Sequence, residues 1–319
     1  MPTNPQKRLQ RKRFIRKRIE RNQERVRRIL VDAKRSLDSR ILKAANDGRT
    51  LTSATLRNML YRDVGKIYVE MGGNIEEWNR AMVGTTAKEG FKFASADIPK
   101  ASRQTWDRFS RAHVDDYLAY VHPENAPGMV AVASRLAEQD IRFLRRQYVE
   151  VFRAGSVSGM TMREMQKELK SRMTGTRPDW KFIDSAGRAW KPDNYFNMLA
   201  RTTVANVERE SYADTMTDAG LDLVMVAGGQ PTAPPPDPCW EWYGKILSLT
   251  GETKGYPTVA EAEASGLYHP NCIHYHAAVL PDEVEEFEKR EQVADATRDE
   301  AAQADLKAEK ESIERQKAA

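Results

Sequence analysis

Gly266-Leu267-Tyr268-His269-Pro270-Asn271-Cys272-Ile273-His274-Tyr275-His276 is the stretch on which the reading of this chain turns, together with Asp237-Pro238-Cys239-Trp240 upstream. The chain has two cysteines and five histidines, and both cysteines and three of the histidines fall in these two segments. His269-Pro270-Asn271-Cys272 places Pro and Asn at the central positions of a four-residue turn, which brings the outer Cα atoms within about 7 Å. If the chain leaves that turn as a strand, Cys272, His274 and His276 share one face. With Cys239 added, Cys239, His269, Cys272 and His274 form a thiolate and imidazole set that suits tetrahedral zinc, and His276 falls one step beyond the ion. The upstream half is not a standard finger, because Trp242 stands where the second Cys of a C-x-x-C pair would be. The residues leave three readings open: a closed structural zinc site, a hydrogen-bonded Cys/His turn packed under aromatics without metal, and the catalytic metal of a nuclease or peptidase. The third needs an open coordination position and a general base. No H-E-x-x-H occurs, and the nearest acids, Asp282 and Glu283, lie in a polar tail, so the expectation is a protein that is not an enzyme.

Outward from this stretch, the apolar spacing separates a helical front from a mixed back. Val26, Ile29, Leu30, Ala33, Leu37 and Ile41 repeat at three to four residues and predict a long first helix. Leu56, Leu60, Val64, Ile67 and Met71 predict a second, ended by Gly72-Gly73. Residues 129–153 read as a further amphipathic helix ended by Gly155, and Thr161-Met162-Arg163-Glu164 as a capping box opening the next. After Gly175 the pattern changes to a short hairpin or an ordered loop around Asp184–Gly187, a helix from Asp193 to Met216, and a buried strand Leu221–Val226. A proline-rich connector, a strand between Gly244 and Gly251, and a capped helix at Thr258-Val259-Ala260-Glu261 follow. The expected fold class is α+β: a mostly helical N-terminal region, a small α+β Cys/His knuckle module, and a polar tail that is either helical or disordered. The expected divisions are a basic arm over 1–50, a helical domain over 51–174, the knuckle module over 175–281 and the tail over 282–319.

Charge is spread unevenly. The chain carries +5 overall, whereas residues 1–45 hold sixteen Lys and Arg against four Asp and Glu. The segment from Lys7 to Arg28 therefore suits phosphates read without sequence preference, since aromatics for base stacking are nearly absent; an acidic protein wall or plain solvent are the other readings of the same charge. No run approaches the ~18 apolar residues of a membrane span, and the basic N-terminus lacks the apolar core of a signal peptide, so no membrane partner is expected. Two cysteines cannot build a disulfide framework, and a reducing compartment favours metal or free thiols over a bond from Cys239 to Cys272.

A series of motifs adds a family. Tyr195-Phe196-Asn197-Met198-Leu199-Ala200-Arg201-Thr202, Gly220-Leu221-Asp222-Leu223-Val224, Cys239, Trp242-x-Gly244-Lys245, Ser248-Leu249-Thr250-Gly251, Tyr256-Pro257-Thr258 and Gly266 to His274 occur in that order. The series resembles the phage minor capsid protein 2 family, related to the Mu-like phage head-morphogenesis proteins, over roughly residues 130–281. The resemblance implies a virion structural protein in few copies, inside the capsid near the portal and assembled in the host cytoplasm, acting in head assembly or DNA packaging. It implies the portal protein and the major capsid protein as partners and leaves room for an oligomer. It also places Cys239, His269, Cys272 and His274 at the family's knuckle, with Trp242 as a departure, and Arg201 as a helix arginine pairing with a carboxylate or backbone carbonyls. The competing function is a metal-dependent hydrolase built on the same His-rich knuckle.

Overall fold

Apolar residues recurring every three to four positions turn the first two thirds of the chain into helix, while the continuous apolar run Leu221–Val226 becomes the centre of a small sheet. The computed structural model describes residues 5–47, 49–117, 129–174, 182–183, 187–229, 238–269, 271–272, 274–285, 288 and 292. Its elements are α1 (Pro5–Asn46), α2 (Arg49–Thr52), α3 (Ala54–Asp97), α4 (Trp106–His113), α5 (Met129–Ser158), α6 (Met162–Thr174), β1 (Phe182–Ile183), β2 (Ala189–Trp190), α7 (Pro192–Asp218), β3 (Leu223–Ala227), β4 (Ile246–Ser248), α8 (Val259–Ala264) and β5 (Tyr275–Ala278). The fold is α+β with a helical N-terminal region. The proline-rich connector 230–237 and most of the tail expected from 282 lie outside the described residues.

The chain divides into two units, one of residues 1–20, 82–120 and 201–319, the other of residues 21–81 and 121–200. Among its described residues the second unit is built of helices and the antiparallel β1–β2 pair. Its buried face includes Val26, Leu37 and Ile41 of α1, Val64 and Ile75 of α3, and Leu136 and Leu144 of α5. Two side-chain hydrogen bonds join its helices: the Tyr68 hydroxyl donates to Asp140 Oδ2 at 3.0 Å, and Trp78 Nε1 donates to Asn22 Oδ1 at 3.1 Å.

Two glycine-based helix ends expected from the sequence are not helix ends. α3 runs through Gly72-Gly73 and Gly84 without a break, because the buried stripe Met71, Ile75, Trp78 and Met82 outweighs a glycine penalty of about 1 kcal/mol per position. α5 continues past Gly155 to Ser158 and stops at Gly159, whose φ is +71°. Gly155 is buried, and a Cβ there would lie 2.6 Å from Met165 Cγ of α6. It permits close helix approach, and Gly159 makes the left-handed stop. The capping box at Thr161 forms as expected, with Glu164 accepting from Thr161 N at 2.7 Å and Glu164 N donating to Thr161 Oγ1 at 3.3 Å.

In the first unit the sheet order is β4-β3-β5, all antiparallel. Every residue of β3 is buried. Leu223, Met225 and Ala227 pack with Ile246, Tyr275 and Ala277 on one face, and Val224 and Val226 pack with Leu247, Leu267 and Cys272 on the other. Coverage on both faces is why this strand reads as an unbroken apolar run. The outward edge of β5 is closed by side chains. Arg209 Nη1 donates to His274 O at 3.1 Å, Arg11 Nη1 to His276 O at 2.5 Å, and Ala278 N donates to Tyr212 Oη at 2.9 Å. The Tyr212 hydroxyl in turn donates to Asp97 Oδ2 at 2.9 Å. Arg11, 4% exposed, also pairs with buried Glu208 and lies 3.8 Å over the Tyr212 ring.

Candidate metal centre

Three short backbone devices deliver the cysteines and histidines. Cys239 sits in a 3-10 turn, Pro238–Trp240, where its carbonyl accepts from Trp242 N and Tyr243 N at 3.2 and 3.0 Å. Gly266 backs onto that turn: its φ is +101°, and a Cβ there would lie 2.8 Å from Pro238 Cβ, so only glycine fits. α8 leads into Gly266 through a complete capping box between Thr258 and Glu261. Then Cys272 N donates to His269 O at 2.9 Å and Asn271 takes φ +71°, the conformation required at the third position of a type II turn. Asn271 N also donates to Thr202 Oγ1 of α7 at 3.3 Å. Tyr268 takes φ +61° as well, an uncommon conformation for an aromatic residue.

Cys239, Cys272 and His274 meet at the end of these turns, all buried, with their donor atoms within 4.8 Å of one another. Cys239 Sγ and Cys272 Sγ are 3.5 Å apart, and Cys272 Sγ is 3.3 Å from His274 Nδ1. Donors around a tetrahedral zinc at about 2.3 Å for sulfur and about 2.0 Å for nitrogen stand roughly 3.5–3.8 Å from each other, so the spacing fits. The tautomer fits too. His274 Nε2 lies 2.8 Å from Gly229 O, and since a carbonyl only accepts, Nε2 carries the proton and Nδ1 keeps its lone pair facing the sulfurs. The hydrogen bond from Cys239 lowers the Cys272 thiol most, against the opposing effect of burial, and the neighbouring His274 and the charge of Arg209 lower it further. The direction of that shift favours the thiolate, the form a metal binds.

The other residues singled out from the sequence lie elsewhere. His269 is half-buried and outside the group of three; its carbonyl closes the turn. His276 is also outside the group, edge-on to Tyr268 with ring centroids 5.3 Å apart. Burial first, then Arg209 and Arg11, push His276 down to about 3, so it is neutral. Trp242 packs against the apolar cluster containing Cys239 and Cys272. The arginine that reaches backbone at the core is Arg209, with its guanidinium also 4.0 Å over the Tyr268 ring, whereas Arg201 is half-exposed. One acid with a clear task had no signal of its own. Asp222 accepts from Ser248 Oγ at 2.6 Å, Thr250 N at 2.8 Å, Thr250 Oγ1 at 2.7 Å and Thr253 N at 3.2 Å, and so ties down the Ser248-Leu249-Thr250-Gly251 motif.

The model of the family described as phage minor capsid protein 2 matches residues 58–318. No curated protein and no solved structure matches. No described helix is long and apolar enough to cross a membrane.

Proposed function

We propose, from the premise that the chain belongs to the phage minor capsid protein 2 family, that this phage structural protein works inside the capsid near the portal, in head assembly or DNA packaging, through protein contacts and sequence-independent contacts to DNA. The observation that carries the DNA part is the charge on α1. Lys12, Arg13, Arg16, Lys17, Arg21, Arg25, Arg27 and Arg28 are exposed on that helix, while Ile19, Val26 and Ala33 are buried. A helix that keeps its apolar stripe inward and its cations outward is arranged to meet phosphates. Portal and major capsid proteins are the proposed protein partners, with assembly in the host cytoplasm and final residence in the virion.

Zinc is the proposed cofactor, held by Cys239, Cys272 and His274, with His269, whose carbonyl closes the turn to Cys272 and whose side chain lies outside that group, as the proposed fourth ligand once metal is bound. Its role is structural: bound there, it would tie the Cys239 turn to the start of β5 and add binding energy to the folded state of the module. Among the described residues no carboxylate joins the cluster, so a general base for the hydrolase reading has no support there.

Purified procapsids and virions decide the location. Quantitative gel densitometry is expected to find the protein in both, in far fewer copies than the shell protein. Absence from both would overturn the reading.

A further inference from the structure

We infer that Cys239 and Cys272 are also a redox pair, closing to an intramolecular disulfide when the metal-free module meets a hydroperoxide and reopening with a thiol reductant. The inference stands on the geometry of the pair and does not rest on the metal reading. The two sulfurs are 3.5 Å apart, both cysteines are free, and the chain has no third cysteine to compete. A disulfide needs a separation of about 2.05 Å, so the sulfurs must approach by roughly 1.5 Å. The residues are 0% and 4% exposed, which shields both sulfurs from another chain's thiol while a small peroxide can still enter during local opening.

The chemistry balances without a cofactor. The Cys272 thiolate attacks one peroxide oxygen, the O–O bond breaks, and the departing hydroxide takes a proton to leave as water. Cys272 is then a sulfenic acid. The Cys239 thiol gives up its proton as its sulfur attacks that sulfur, the S–O bond breaks, and the departing hydroxide takes up a proton to leave as a second water. The two thiols lose two electrons in all, and the peroxide gains them. Because Cys239 is already in contact, the second step outruns further oxidation of Cys272. Two sulfurs bonded to each other cannot both serve as thiolate ligands, so the disulfide and the metal-bound form exclude one another.

The test uses the full chain in three forms: chelator-treated, zinc-loaded, and the Cys239→Ser variant. Each is exposed to hydrogen peroxide and read by intact mass, thiol alkylation and non-reducing peptide mapping. The chelator-treated chain is expected to lose two hydrogens, to yield a peptide linking Cys239 to Cys272, and to regain both thiols with dithiothreitol. Zinc should slow the reaction at least tenfold, and Cys239→Ser should leave a sulfenic acid on Cys272 that dimedone traps. Thiols that stay alkylatable, sulfinic acid on Cys272 with Cys239 present, or disulfide-linked dimers would each overturn the inference. A cross-link that forms equally fast with zinc added would instead count against the metal reading and leave the redox pair standing.

Discussion

Asp222 shows how much a single carboxylate can organise. Burial works against its charge, yet the hydrogen bonds from Ser248, Thr253 and Thr250 outweigh that and hold its carboxyl well below the usual carboxylate range. A depressed carboxyl contributes stability that is complete above its unfolded value of about 4 and is lost as pH falls through its folded value. Urea midpoints of the wild type and Asp222→Asn should therefore differ by a constant amount between about pH 5 and pH 7, begin to approach each other below about pH 4, and meet only as pH falls through the depressed folded value. A gap that persists in acid would mean the residue acts through shape and not charge. At the metal centre, elemental analysis is expected to find about one zinc per chain. Cys272→Ser should abolish it, His269→Ala should weaken binding at least tenfold, and His276→Ala should retain the metal. Clustering along the chain makes Cys239, Cys272 and His274 legible as neighbours from residue order alone. The Gly229 carbonyl and Arg209 are not legible in that way, because every residue has a carbonyl and Arg209 is one of 51 lysines and arginines.

At the scale of elements, what the sequence disclosed was local. The boxes at Thr161 and Thr258 depend on residues three apart, so the pattern alone announces them. Glycine is harder, since a helix stop and a close approach look identical until the neighbour is known. α3 contains both kinds of non-stop. At Gly90 a Cβ would lie 2.7 Å from the Glu208 carbonyl oxygen and 3.0 Å from Ser211 Cβ of α7, where Ser211 Oγ donates to Ala87 O at 2.6 Å. At Gly73 a Cβ would meet nothing within 4 Å. The same substitution should then have opposite signs in one helix. Gly90→Ala is expected to destabilise by about 1–3 kcal/mol, since backbone cannot step aside. Gly73→Ala should stabilise by about 0.5–1 kcal/mol through helix propensity. Denaturant midpoints of the two variants decide it, and a stabilising Gly90→Ala would show that the two helices separate without cost.

For the whole molecule, composition identified a basic N-terminus but could not say which of its cations face solvent. Arg11 looks no different from Lys12 or Arg13 in sequence, yet it is 4% exposed against Glu208 and the rings of Tyr212 and Tyr275, while its neighbours are exposed. Pairing across 197 residues leaves no trace in local charge. The DNA prediction must therefore spare Arg11. Replacing Lys12, Arg13, Arg16 and Lys17 by Gln should leave thermal stability unchanged and lower the slope of log affinity against log salt by up to about 3.6 if all four meet phosphates of duplex DNA. An unaltered slope would assign these side chains to a protein surface.

The sealed margin of β5 bears on crowding. Strands left open at a sheet's rim template one another, and that hazard grows with local concentration. Here His274 O, His276 O and Ala278 N are already occupied by Arg209, Arg11 and Tyr212. Copies of the protein can be packed together in a confined volume without that rim seeding fibres, which leaves self-association to other surfaces.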